Sequence, residues 1–142
     1  MAWLNDFNAA LVSKLQPLFC TYAMHWIALL CLCSAYLQGG LTKALNFGAA
    51  LEEMKQFGLK PPAPLALAVI VMEIGASALV LGGVFRWVGA LALAAFTLFA
   101  MFVANRFWNM PPPKRYASEN TFFEHLGLVG GFVLVAWHDL LR

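Results

Sequence analysis

The stretch PLALAVIVMEIGASALVLGGV, residues 64–84, decides the fold class of this chain. A helix needs roughly 20 apolar residues to cross a bilayer core of about 30 Å, and this stretch has that length with a single charge, Glu73. Three other stretches are similar: residues 20–41, 87–108 and 122–141. Backbone groups in lipid must be hydrogen-bonded within their own segment, so the sequence predicts an all-α bundle of four transmembrane helices.

Composition also indicates a membrane protein with almost no soluble part. Of 142 residues, 62% are hydrophobic and 11% are charged, whereas soluble domains carry about 25% charged residues. The length predicts one membrane domain over residues 1–142, without room for a second. The net charge is +2 and no basic patch is present, which argues against nucleic acid and leaves the lipid bilayer as the main partner.

The residues before the first span predict a short amphipathic helix on the membrane surface. Its apolar positions follow helical spacing, whereas Asn5, Asp6, Asn8 and Lys14 lie on other faces. The apolar set is Trp3, Leu4, Phe7, Leu11 and Leu15. A cleaved signal peptide ending near residues 33–35 is the alternative, although the segment before that site is long and weakly basic.

The link between spans one and two predicts a second amphipathic helix. Asn46 is a suitable N-cap for it, and Gly58 is a suitable end before a proline-rich entry into span two. Between them, Phe47, Leu51 and Met54 form one apolar stripe.

Two shorter patterns mark the other connections. Thr121 and Glu124 predict a capping box at the start of span four. Residues 82–86, with two adjacent glycines, predict a tight turn between spans two and three.

Lysine and arginine residues are unevenly divided between the two sides of the predicted bundle. The side with the two long loops carries Lys43, Lys55, Lys60, Arg106, Lys114 and Arg115. The opposite side carries Lys14, Arg86 and Arg142. The positive-inside rule therefore predicts that the long loops face the cytoplasm and that both termini face outward.

Glu73, near the middle of span two, is the principal candidate functional residue. A carboxylate at a helix centre costs roughly 3 kcal/mol to insert, so it should face the bundle interior and take a partner or stay protonated. Two roles explain such a residue equally well. One is a structural hydrogen bond between helices, and the other is a ligand or proton site.

The other three spans carry polar residues at a similar depth. Glu73 lies roughly 13 Å inside the long-loop side, because each helical residue rises about 1.5 Å. The predicted ligand-binding set on that side is Glu73, Gln38, Lys43, Asn105 and His125. Shared depth follows from the spacing, whereas a shared direction around the bundle axis is an assumption. The alternatives are a snorkelling anchor for Lys43 and an interfacial or capping role for His125.

No pattern predicts a metal site. Cys31 and Cys33 point about 200° apart on a helix, and Cys20 stands about 16 Å from Cys31 along the axis. The predicted role of all three is packing. The sequence has no CxxC and no pair of histidines at i and i+4.

The order of these features resembles the DoxX family of small four-span membrane proteins. The resemblance rests on GLTK at 40–43, GLKP at 58–61, Glu73, LGGVFRW at 81–87, NRFW at 105–108 and the start of span four at 122–131. It covers about residues 40–140. The family often has an arginine where His25 stands here and a histidine where Asn105 stands, so no family role transfers to these two positions.

The resemblance implies a multi-pass protein of the cytoplasmic (inner) membrane. Some members are subunits of thiosulfate:quinone oxidoreductase, and others are linked to redox-protective membrane complexes. Together with the polar cluster, this favours an accessory subunit of a redox system that binds a quinone or another lipophilic small molecule. Any enzymatic role would be oxidoreductase-associated, and no catalytic residue is identified.

Two other functions fit the same sequence. An assembly or scaffold subunit would pack against a larger membrane redox complex, and Gly127 and Gly131 provide a small-residue spacing suited to close helix packing. A small transporter is the second alternative, although the chain shows no inverted repeat or broken helix.

Overall fold

A computed structural model describes residues 1–142 as a helical bundle without strands. The helices are α1 (Ala2–Phe19), α2 (Tyr22–Leu45), α3 (Phe47–Gln56), α4 (Pro62–Gly82), α5 (Arg86–Ala104) and α6 (Lys114–Leu140). A short 3₁₀ turn, Phe107–Asn109, lies between α5 and α6. The predicted all-helical fold class is confirmed.

Four long helices form the bundle, in the spatial order α2, α4, α5, α6, with a smaller contact between α2 and α6. Each contributes one apolar face to a common core. Fully or nearly fully buried members of this core are Leu29, Cys33 and Tyr36 from α2, Ala76 and Val80 from α4, Leu93 from α5, and Phe132 from α6. The sequence prediction that all three cysteines pack is therefore wrong for Cys20 and Cys31, which are exposed.

Three helices are long and apolar enough to cross a membrane: Tyr22–Leu45, Pro62–Gly82 and the segment Arg86–Asn109. The fourth predicted span is not confirmed by this measure. Its helix, α6, begins at Lys114, eight residues before the predicted start of the span. The predicted capping box is wrong because Thr121 lies inside α6, where its hydroxyl donates to the Ala117 carbonyl at 3.0 Å.

Helix α3 lies across the long-loop end and has the predicted ends. The Asn46 side chain accepts a hydrogen bond from the Ala49 amide at 3.3 Å, and Gly58 follows the helix with a left-handed φ of 72°. Its buried face is Ala50 and Met54, which contact Ala66 of α4. Phe47, the first residue of the predicted apolar stripe, is 38% exposed, whereas Met54 is buried.

Helix α1 stands apart from the bundle. None of its residues is buried, and its contacts are with α2 alone. A helix of this composition gains little from the protein and needs another apolar surface. Its placement on the membrane surface stays a prediction.

The connection between α4 and α5 is the predicted tight turn. Gly83 caps α4 with a φ of 74° and Phe85 precedes α5 with a φ of 49°, both in the left-handed region. The Arg86 Nε donates back to the Val80 carbonyl at 2.8 Å. Just beyond the turn, a Cβ at Gly89 would lie 2.6 Å from the Ala76 carbonyl oxygen, so α4 and α5 approach closely here because Gly89 has no side chain.

Candidate ligand-binding site

Glu73 belongs to the buried face of α4. That face recurs at helical spacing through Ala66, Ile70, Glu73, Ser77 and Val80, which turns the carboxylate towards α2. There the Lys43 Nζ lies 3.2 Å from each of the two carboxylate oxygens. The side chains of Lys43 and Glu73 are 18% and 9% exposed, so the two charges form a largely buried pair.

Gly40 of α2 allows this approach, and Gly39 lies beside the same pair. A Cβ at Gly39 would lie 3.4 Å from both Glu73 Oε2 and Lys43 Nζ. A Cβ at Gly40 would lie 2.8 Å from Ile74 Cγ1 and 3.2 Å from the Glu73 Cβ. Because Gly40 has no side chain, the backbone of α2 can lie against α4 beside the carboxylate.

A cavity of about 250 Å³ adjoins the ion pair. Five helices, α2 to α6, contribute to its wall, and most of the lining is hydrophobic. The lining residues are Ala35, Tyr36, Gly39, Lys43, Glu53, Met54, Phe57, Leu59, Val69, Glu73, Phe96, Thr97, Phe99, Ala100, Val103, Ala104, His125 and Leu128. An apolar cavity with a few convergent polar groups is the usual form of a small-molecule site.

The buried pair Tyr36 and Thr97 forms one wall of this cavity, and sequence reasoning missed it. The Thr97 hydroxyl donates to the Leu93 carbonyl at 2.6 Å, so in the hydrogen bond between the two side chains Tyr36 is the donor. A signal for Tyr36 was present, because it precedes Gly39 by three and Lys43 by seven residues on one helical face.

Glu53 is a second missed residue. It lines the cavity from α3, beside Met54 and Phe57. Sequence reasoning gave this residue no role, whereas the structure places it on the wall of the same cavity as the ion pair. The amphipathic helix thus forms the cover of the cavity.

His125 lies where the sequence predicted, on the wall formed by α6. Its Nδ1 is 2.7 Å from the Thr121 carbonyl oxygen. A carbonyl can only accept, so Nδ1 carries the proton and Nε2 is an acceptor in the neutral ring.

Gln38 and Asn105 do not line this cavity. Gln38 is exposed, and its Nε2 donates to the Thr42 hydroxyl at 3.2 Å. The Asn105 Nδ2 donates to the Ser118 carbonyl at 2.8 Å, which joins the end of α5 to the start of α6. The structure thus brings together three of the five predicted residues: Lys43, Glu73 and His125.

Comparison with known proteins gives two findings. The family model described as DoxX matches residues 26–106. The protein named "Inner membrane protein YphA" from Escherichia coli (strain K12) is 25% identical over 97 residues, which are 68% of this chain and 69% of that protein. Among solved structures there is no match. This similarity and the three apolar helices place the chain in the cytoplasmic (inner) membrane as a multi-pass protein.

Proposed function

Since the chain belongs to the DoxX family and is a multi-pass protein of the inner membrane, we propose that it binds a lipophilic small molecule, such as a quinone, in the cavity beside Lys43 and Glu73. In this role it serves as an accessory subunit of a membrane redox system. The observation that carries the proposal is a mostly apolar cavity of about 250 Å³ that contains a buried ion pair.

The polar groups suit the head of a quinone. Lys43 carries three N–H donors, and its contacts with the two Glu73 oxygens leave one for a ligand carbonyl. Glu73 and Glu53 accept hydrogen bonds from the hydroxyls of the reduced form. The ring and tail contact apolar residues such as Phe57 and Phe99, and Phe99 is 62% exposed, so a long tail can leave the cavity towards lipid.

The predicted site residues divide into two roles under this proposal. Lys43, Glu73 and His125 contact the ligand. Gln38 and Asn105 do not contact it, because Gln38 bonds to Thr42 of its own helix and Asn105 joins the end of α5 to the start of α6.

The experiment compares substitutions at two glutamates, Glu73 in the cavity and Glu52 on the surface. Purified protein in a mild detergent is titrated with a short-chain ubiquinone analogue, and the melting temperature is followed; its organic extract is examined by mass spectrometry and visible absorption. We expect the analogue to raise the melting temperature of the wild type and of Glu52→Gln, but not of Glu73→Gln. Glu52 is a suitable control because its pair with Lys55 is exposed, with both side chains more than half accessible.

Two outcomes would overturn the quinone proposal. One is a protein that retains no lipophilic compound and shows no shift with the analogue. The other is an equal shift in Glu73→Gln and the wild type, which would place the bound molecule elsewhere.

We also propose that α6 is a fourth membrane crossing. It runs along the full length of α5, because Asn105 at the end of α5 contacts Ser118 near the start of α6, and the Trp87 amide at the start of α5 donates to Asp139 near the end of α6. Its 27 residues span about 40 Å, and its outward residues, including Leu134 and Trp137, are apolar and exposed.

Reporter fusions test the crossing. An alkaline phosphatase or fluorescent-protein reporter is placed after Arg142 and, separately, in the turn at Val84. Four crossings put both reporters on the same side of the membrane. Opposite sides would show that α6 does not cross.

A scaffold subunit is the second candidate, and the outer surface favours it. Helix α1 has no buried residue, and a Cβ at Gly127 or Gly130 of α6 would meet no atom within 4 Å. Such small-residue faces allow another helix to pack closely. Native purification with crosslinking decides between the two, because a scaffold remains attached to a larger complex whereas a ligand carrier migrates alone with its ligand.

A further inference from the structure

A second polar cavity lies at the opposite end of the bundle from the Lys43–Glu73 pair. It has a volume of about 260 Å³ and opens between α2 and α6, beside the first residue of α5. The rings of His25 and His138 face each other across it, with centroids 6.3 Å apart. Arg86 completes the polar part of the wall.

The Arg86 guanidinium retains unused donors. Its Nε donates to the Val80 carbonyl at 2.8 Å, but its Nη1 lies 3.9 Å from Asp139 Oδ1, which is beyond hydrogen-bond distance. Asp139 instead accepts a hydrogen bond from the Trp87 amide through Oδ2 at 3.1 Å. The carboxylate is thus engaged by the N-terminus of α5, and the Nη groups of Arg86 can serve a ligand.

His25 supplies a second, independent indication. Its Nε2 is buried and has no hydrogen-bond partner. A buried polar atom left unpaired is unfavourable, so a ligand that pairs with it is favoured. Two imidazoles and a guanidinium together suit an oxyanion, because all three side chains can donate hydrogen bonds.

The rest of the cavity is apolar and follows the helices. Ala28, Leu29 and Leu32 line it from α2, and Leu134 and Val135 line it from α6. Leu134 is 63% exposed, so this groove opens towards lipid. Its deep end is at Leu32, whose Cδ1 would lie 3.1 Å from a Cβ at Gly131.

The depth of the polar groups matches a lipid headgroup. His25 is the fourth residue of α2, Arg86 is the first of α5, and His138 is the third from the end of α6. With α6 as the proposed fourth crossing, all three lie at helix ends, where the hydrocarbon core meets the headgroups. We propose that this cavity binds the phosphate of an anionic phospholipid through Arg86, His25 and His138, with an acyl chain in the groove between α2 and α6.

The test uses melting temperature and native mass spectrometry of protein in a neutral detergent, with three probes: phosphatidylglycerol, phosphatidylcholine and inorganic phosphate. We expect phosphatidylglycerol alone to stabilise the wild type and to remain bound. The double variant His25→Phe/His138→Phe should lose about tenfold or more in affinity, because hydrogen bonds to a charged group disappear. Its aromatic volume is kept, and the fold does not use the His25 Nε2.

Arg86→Gln should have the larger effect on binding, and Arg106→Gln is its matched control, with the same loss of charge at the other end of the bundle. The double histidine variant keeps the test valid if Arg86→Gln fails to fold. Equal stabilisation by phosphatidylcholine, or unchanged binding in the histidine variant, overturns the proposal; stabilisation by inorganic phosphate alone overturns the lipid assignment. Glu73→Gln should keep this binding, which separates its outcome from that of the quinone proposal.

Discussion

The two ends of the bundle use charged residues in opposite ways. At the long-loop end, Lys43 and Glu73 contact each other at 3.2 Å between the bodies of two helices and under the cover of α3. At the opposite end, which holds the turn between α4 and α5 and is called the short-turn end below, Arg86 and Asp139 are 3.9 Å apart. Each of them bonds a backbone group instead. The first pair depends on both of its members, whereas the charges of the second hold separate helix ends in place.

The largest expected effect comes from breaking the buried pair. Lys43→Met leaves Glu73 as an uncompensated buried charge, so we expect the free energy of unfolding in detergent to fall by about 3–5 kcal/mol. Adding Glu73→Gln should restore part of it, as expected for directly coupled residues. The control Lys55→Met breaks an exposed pair and should cost less than about 1 kcal/mol; equal losses in the two single variants would contradict the comparison.

The next-largest effect compares how tightly the helices pack at the two ends of the bundle. Gly89→Ala forces a Cβ to within 2.6 Å of a backbone carbonyl, whereas Gly40→Ala meets a side-chain atom, Ile74 Cγ1, at 2.8 Å. Backbone cannot give way as a side chain can, so Gly89→Ala should destabilise by about 1–3 kcal/mol and Gly40→Ala by less. Gly75→Ala, which would meet nothing within 4 Å, is the control in the same thermal unfolding measurement.

A smaller effect is expected at the short turn. Asp139→Ala removes the acceptor for the Trp87 amide at the start of α5, which has no side-chain cap of its own. Loss of an N-cap acceptor costs about 1 kcal/mol, and Asp139→Asn should recover most of it because the amide oxygen still accepts. Ligand binding at the long-loop end should not change in either variant, and a change there would show that the two ends are coupled.

The smallest expected effect concerns Tyr36. Tyr36→Phe removes its hydrogen bond to Thr97 but keeps the ring packed edge-on against Phe132. The loss should be about 0.5 kcal/mol, at the low end for one hydrogen bond, since Thr97 keeps its own bond to the Leu93 carbonyl. Tyr22→Phe is the matched control, because the Tyr22 hydroxyl accepts from Trp26 at an exposed position and should contribute less.

Much of the fold could be predicted from the sequence because apolar length determines which segments become helices. The runs around Glu73 and around Leu93 could be assigned without any knowledge of their neighbours. The start of α6 could not, because the polar residues from Lys114 to Thr121 carry no apolar signal. Local hydrogen bonds and the contact of Asn105 with Ser118 determine that the helix begins there.

The sequence predicts how deep the site residues lie in the bundle, but not the direction in which each side chain points. Lys43 and Glu73 have suitable depths and also lie on facing surfaces. Gln38 has the same depth but lies five residues before Lys43, which turns it about 140° around the helix and out of the bundle. Tyr36 and Thr97 were missed because a tyrosine or a threonine within an apolar run predicts only a core position. The hydrogen bond between them becomes evident once the partner helix is known.

The turn at Gly83 has a consequence for biogenesis. It folds α4 and α5 into a hairpin in which the Arg86 Nε already bonds a carbonyl six residues away, so this contact can form during synthesis without later parts of the chain. Asp139 is made 52 residues after Trp87. Its hydrogen bond with the Trp87 amide of α5 therefore forms late, after the α4–α5 hairpin has been inserted.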